Sequence, residues 1–188
     1  VNKLSREIRR FVSAKIALLD KDEPYSKAAC AKLRRAVGKL REEAPDVWDI
    51  TIQGAPEGEI SGKAIHACLT LYALHRQGKE ESMCDQETGF GTAISKLIVI
   101  NPDNEVAIRR RFNAVATSLE FSELAYHARG LVQLLKSNNI KLDYPRFASE
   151  LYYFQFPERK NRIRLEWGKQ FYRIDFNENT LVERTDKK

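Results

Sequence analysis

Apolar residues recur three and four positions apart along nearly the whole chain, and two-residue alternation is almost absent. That pattern predicts helices from end to end and no sheet. Leu4, Ile8, Phe11, Val12, Ile16 and Leu19 form the stripe of a first helix, which Asp20 to Pro24 breaks. Ala29, Leu33, Ala36, Val37 and Leu40 predict a second, ended by the approach to Pro45. A short piece around Trp48 and Ile52 leads through a loop with Gly54, Pro56 and Gly58 to a third long helix. That helix carries Ala64, Ile65, Cys68, Leu69, Tyr72 and Leu74 and stops at Gly78.

Thr92 to Ile98 predicts a short helix. Asn101-Pro102-Asp103 then supplies a capping amide and a proline at the first helical position of a helix that buries Ile108, Phe112, Val115 and Leu119. Ser122 opens another, with Leu124, Ala128, Leu131 and Leu135, and Asn138-Asn139 turns the chain. Asp143 and Pro145 start a helix bearing Phe147, Leu151 and Phe154; after Pro157, Ile163, Trp167, Phe171 and Ile174 mark the last. The expected architecture is an all-α helical bundle of two small lobes. Residues 1–77 make the N-terminal lobe and 92–176 the C-terminal lobe, with 177–188 a tail. The charged, glycine-containing segment 78–91 between the lobes reads as a mobile loop or boundary.

Composition narrows the function mainly by exclusion. With 188 residues, 43% hydrophobic and 31% charged, the chain has enough apolar surface for a globular core. Cys30, Cys68 and Cys84 are odd in number and fit no disulfide framework, so a reducing, cytoplasmic setting is expected. The longest strongly apolar run, Leu97 to Ile100, is far too short for a bilayer, and the charge-interleaved N-terminal residues do not have the form of a signal peptide. His66, His75 and His127 are the only histidines, and no CxxC or HxxxH spacing accompanies them. Gly89-Phe90-Gly91 lacks the third glycine of a dinucleotide loop. No metal, cofactor, small-molecule substrate or catalytic centre is therefore expected. Tyr152, Tyr153, Phe154, Phe156, Trp167 and Phe171 sit at helical spacing and suit a core better than a base-stacking face.

The net charge of +6 is unevenly spread. Residues 1–50 and 109–188 are basic, while 51–108 hold 4 basic and 8 acidic side chains, which points to one polyanion-facing side. Residues 27–41 contain Lys27, Lys32, Arg34, Arg35, Lys39 and Arg41 and no acid, although a merely solvated helix face usually mixes signs. Gly38, on the same outer face of the expected helix, would cost about 1 kcal/mol of helix propensity and admit a close neighbour. Arg109, Arg110 and Arg111 form a second cluster, with Arg110 opposite the apolar stripe and the other two on its shoulders. Arg129 and Lys136 share a flank of the next helix, and Arg159, Lys160 and Arg162 open the last. Arginine dominates these clusters, and its planar fork suits phosphate. The candidate nucleic-acid-binding residues are thus Arg34, Arg35, Arg109, Arg110, Arg111, Arg129, Lys136, Arg159, Lys160 and Arg162.

Several short segments, taken in order, resemble one family. They are Ala31-Lys32-Leu33-Arg34-Arg35-Ala36, Gly91-Thr92-Ala93-Ile94-Ser95-Lys96-Leu97, and Arg109-Arg110-Arg111-Phe112. His127-Ala128-Arg129-Gly130-Leu131-Val132, Leu142-Asp143-Tyr144-Pro145 with Leu151, and Trp167-Gly168-Lys169-Gln170-Phe171-Tyr172 follow. Their order and spacing resemble the CasB family, the small subunits of the type I-E CRISPR surveillance complex Cascade. The resemblance implies an all-helical, non-enzymatic protein that sits as a pair of copies against the other Cascade subunits. It also implies basic residues that support the guide RNA–target DNA hybrid and the displaced strand, and it favours Arg34, Arg35, Arg110 and Arg129 for that role. The expected partners are those subunits, a second copy of the chain, and guide RNA and target DNA backbone, in antiviral defence. The alternative is a helical scaffold or adaptor whose basic faces bind acidic protein partners.

Overall fold

The first helix begins where a side chain can cap it. In the computed structural model, which describes residues 2–185 and side chains as far as Arg173, Asn2 Oδ1 accepts a 2.8 Å hydrogen bond from the Ser5 amide. This satisfies one of the free donors of a helix start. Helix α1 (Lys3–Leu19) buries Ile8, Val12, Ile16 and Leu19, the expected stripe. Pro24 opens α2 (Pro24–Arg35), and a one-turn α3 (Trp48–Thr51) follows. Next come α4 (Glu59–Arg76), α5 (Phe90–Ile100), α6 (Glu105–Thr117), α7 (Phe121–Ser137), α8 (Tyr144–Phe154) and α9 (Pro157–Thr185). The chain is all-α, as the periodicity predicts; the described residues hold no strand, only one isolated bridge between Cys84 and Leu142. Of the expected tail, residues 177–185 lie within α9 and 186–188 fall outside the described residues, as does the Ile174 side chain.

Helix α4 is buried on nearly every side from Ser61 to His75. A helix apolar all round belongs in the middle of a bundle, and α1, α2, α7 and α8 pack around this one. Residues expected in different lobes therefore touch directly: α1 lies on α8, and a single cluster of buried hydrophobic side chains runs from Ile8 to Phe171. The 78–91 segment buries Met83, Thr88 and Phe90 in its course.

The most extensive helix packing among the described residues is that of α5 with α9. At Gly91 the two backbones come so near that a Cβ would collide with the Trp167 carbonyl. Gln170 Oε1 accepts the Gly91 amide at 3.1 Å, satisfying a free donor in the first turn of α5. Trp167 stacks on Phe154 and lies tilted against Phe90 and Phe147, and its indole N–H donates to Glu150 Oε2 at 2.7 Å. Burial pushes the Glu150 carboxyl up, opposed by that indole and by Arg146, whose Nε donates to Oε1 at 2.8 Å. Tyr152, Phe154, Trp167 and Phe171 are buried, while Tyr153 and Phe156 pack against the cluster, so the aromatic set belongs to the core.

Three local expectations are corrected. Helix α2 ends at Arg35 and does not continue to residue 41, because Gly38 takes φ +82°, a left-handed conformation that terminates helices. Leu40 is consequently exposed. Asn101 does not cap α6: Pro102–Asn104 form a 3-10 turn, and the Asn101 amide donates instead to Asn138 Oδ1 at 2.9 Å. Leu119 lies beyond the end of α6 and is 69% exposed.

Candidate nucleic-acid interface

Helix α7 forms the spine of a basic band. Its outer face carries Tyr126, Arg129, Gln133 and Lys136, spaced three or four apart and so aligned along one side. With 17 residues at 1.5 Å rise each, the spine is about 25 Å long.

On one side of α7, Arg110 and Arg111 of α6 line an open cavity of about 600 Å³ together with Tyr126, His127 and Arg129. All three arginines are exposed and form no ion pair with the described residues. On the other side, a second cavity of about 340 Å³ lies between the Val37–Glu42 turn, α4 and the start of α7. Tyr126 and Arg129 border both cavities. Arg129 thus stands at the centre.

Toward its C-terminal end, α7 places Lys136 within electrostatic range of Arg34 of α2 and of Lys79. Burial lowers the Lys136 pKa first, and the positive charges of Lys79 and Arg34 lower it further. The Lys136 ammonium donates to Gln77 Oε1 at 2.9 Å, and that of Lys79 to Asn139, so both are held by neutral amides. Three cations gathered without a carboxylate between them repel one another, and an anion bound there would relieve that repulsion. At the opposite end, Lys160 of α9 donates to the Leu119 carbonyl just before α7 begins, and its ammonium also lies over the Phe154 ring.

The remaining predicted residues lie elsewhere. Arg109 turns inward along α6: its Nε donates to Glu105 at 2.6 Å, and its guanidinium lies over the Phe171 and Tyr172 rings of α9. Arg159 lies over Tyr153, whose hydroxyl bonds Asn2 at the start of α1. Arg35 is exposed on the flank of α2 where Lys32 approaches Asp49 at 3.9 Å. Arg162 is exposed on α9 and lines neither cavity. Lys27 is drawn to Asp22 at 2.6 Å, so the acid-free run on α2 is neutralised partly from outside the helix.

Two members of the band were missed from the sequence. Lys79 sits in the mainly acidic 78–91 segment, and nothing in its neighbours signals its position. Tyr126 was legible in principle, since it precedes Arg129 by three residues on the same face and is 73% exposed. Among the described residues no group of three or more His, Cys, Asp or Glu is placed to hold a metal ion. No helix among them is long and apolar enough to cross a membrane.

The family model for CRISPR-associated protein Cse2 matches residues 29–172. Solved structures agree on the fold. CasB from Thermobifida fusca is 29% identical, with a TM-score of 0.73 over 92% of this chain and 99% of its own. CasB from M. ruber is 23% identical, with a TM-score of 0.71 over 91% of this chain and 97% of its own. A chain of a CRISPR RNA-guided surveillance complex is 18% identical, with a TM-score of 0.77 over 97% of this chain and 99% of its own. A search of curated protein sequences finds no match.

Proposed function

The chain belongs to the Cse2 family of CRISPR-associated proteins, and from that premise we propose that it is a non-catalytic subunit of a type I-E Cascade complex in the cytoplasm. Its role there is to hold nucleic-acid backbone without reading sequence. It stabilises the pairing of guide RNA with target DNA and the displaced DNA strand, because base pairing in RNA-guided complexes already carries specificity.

The observation that carries this reading is the meeting of Arg110 and Arg111 on α6, Arg129 and Lys136 on α7, and Arg34 on α2 in one band. Three separate helices contribute, and a solvated face of one helix would not produce that. The exposed Val99 and Ile100 at the end of α5 and Val106 at the start of α6 suit contact with other Cascade subunits or a second copy.

The test is salt-dependent binding of labelled single- and double-stranded DNA to the isolated protein. Affinity should be micromolar or weaker at physiological salt and indifferent to sequence. The slope of log K against log salt should be about −0.7 to −0.9 per phosphate contacted. Binding that ignores salt, or that selects strongly among sequences, would falsify the reading.

A further inference from the structure

We propose that the cavity between the Gly38–Leu40 turn, α4 and the start of α7 receives an unstacked nucleobase of the strand whose phosphates follow α7. This rests on the nucleic-acid reading above and deepens it: the band supplies the seats for phosphate, and the cavity beside it supplies a seat for the ring.

The cavity encloses about 340 Å³, at the small end of the roughly 300–1,000 Å³ usual for small-molecule sites. Ala67, Thr70 and Leu71, buried on α4, line it together with Leu40, Phe121 and Ala125. The small Ala67 and Ala125 side chains leave the room, and most of the lining is apolar. His66 is the only imidazole there; its Nε2 lies 3.2 Å from the Lys39 carbonyl, and burial lowers its pKa, so it contributes no charge at neutral pH. The Thr70 hydroxyl bonds back to the carbonyls of His66 and Ala67 within its own helix. The Arg41 guanidinium lies against Gly62 of α4, near His66, so one side of the cavity is positive. A flat, neutral ring would find apolar side chains over most of the rest, Phe121 among them.

Charged side chains share the lining: Lys39, which is exposed, with Arg41, Lys63, Glu42 and Glu120; Lys63 is held by Glu59 at 2.6 Å. Arg129 and Tyr126 stand between this cavity and the one lined by Arg110 and Arg111. A nucleotide has the same layout, with an anionic backbone on one side of the sugar and a largely apolar ring on the other. Tyr126, 73% exposed at the lip, is placed to stack on the ring as it enters. Leaving a stacked duplex costs a base several kcal/mol, so a single strand is the favoured occupant. This makes the displaced strand, rather than the paired hybrid, the source.

The experiment compares two twelve-nucleotide strands on the full chain, oligothymidine and the same backbone with every base removed. Wild-type protein should bind oligothymidine roughly tenfold more tightly than the abasic strand, as loss of one base–aromatic stack does elsewhere. Both strands should show the same salt slope, because the phosphate contacts are shared. Ala125→Trp, which fills the cavity, should erase the difference while leaving abasic binding unchanged. Tyr126→Ala, at an exposed position, should reduce the difference and guards against misfolding of the filled variant. Equal affinity of the wild-type protein for the two strands, each with a normal salt slope, overturns the base seat and leaves the phosphate band standing. Failure to bind either strand overturns both. A side chain of another subunit occupying the cavity in an assembled complex also overturns the base seat.

Discussion

Arg129 of α7 faces Gly38, just beyond the end of α2: its guanidinium Nη1 lies 3.6 Å from the point a Cβ on Gly38 would occupy. The turn made possible by Gly38 stops α2 short and brings residues 37–42 around to border the smaller cavity. The same arginine borders the open cavity on its other side with Arg110 and Arg111. Contributions from α2, α6 and α7 thus meet at one side chain.

Arg129→Ala should change stability by no more than about 0.5 kcal/mol, because the guanidinium is exposed and in no ion pair with the described residues. It should also lower the magnitude of the salt slope of DNA binding by roughly 0.7–0.9, the share of one phosphate. Arg109→Ala should behave in the opposite way, losing stability while keeping the wild-type slope, since Arg109 lies against Glu105 and the α9 rings. Titrations at four salt concentrations, paired with urea melts, decide it. Equal binding losses in the two variants would mean the band is drawn wrongly.

Two helical glycines should respond to alanine with opposite sign. At Gly91 the new methyl group meets the Trp167 carbonyl and the Phe171 amide, which are backbone and cannot rotate away. Gly91→Ala should therefore cost about 1–3 kcal/mol or more by forcing α5 from α9. At Gly168, in α9, nothing lies within 4 Å of the added Cβ. Gly168→Ala should stabilise by up to about 1 kcal/mol through helix propensity alone. Urea unfolding midpoints of the two variants against wild type measure both.

His75 should make the protein acid-sensitive. Its Nδ1 lies 2.9 Å from the Tyr144 hydroxyl, and burial pushes its pKa down to about 4. The unfolded chain takes up this proton near pH 6.5, whereas the folded chain does not until about pH 4, so folding binds fewer protons in between. Stability is therefore full above the unfolded value and falls as pH drops from 6.5 toward 4, by about 1.4 kcal/mol per pH unit at most. The whole loss is on the order of 3 kcal/mol. His75→Gln should start less stable at pH 7.5 but show a flatter decline, read from urea melts between pH 7.5 and 4.5. An unchanged slope in the variant would assign the acid sensitivity to other groups.

The sequence by itself determined most of the elements and the phase of side chains around each helix. Pro24, Asp143 and Pro157 mark helix starts because proline is tolerated in a first turn and a carboxylate accepts a free amide, as Asp143 does from Arg146 at 2.9 Å. The outward aspect of Arg110 and Arg129 follows from the buried stripes Ile108, Phe112, Val115 and Leu124, Ala128, Leu131, Leu135. The family was legible too, and two of its segments pack on each other: Gly91 and Gln170, far apart in sequence, are joined by a hydrogen bond. What only the tertiary structure decided is how the helices are turned toward one another. Periodicity fixes each side chain about its own helix axis, while the rotation between axes is set by contacts remote in sequence. That rotation laid Arg109 on the rings of α9, sent Arg159 to Tyr153, and brought Lys79 and Arg34 to Lys136. Periodicity also overran the end of α2, where Ala36, Val37 and Leu40 continue the apolar spacing while Gly38 takes the left-handed conformation that ends the helix.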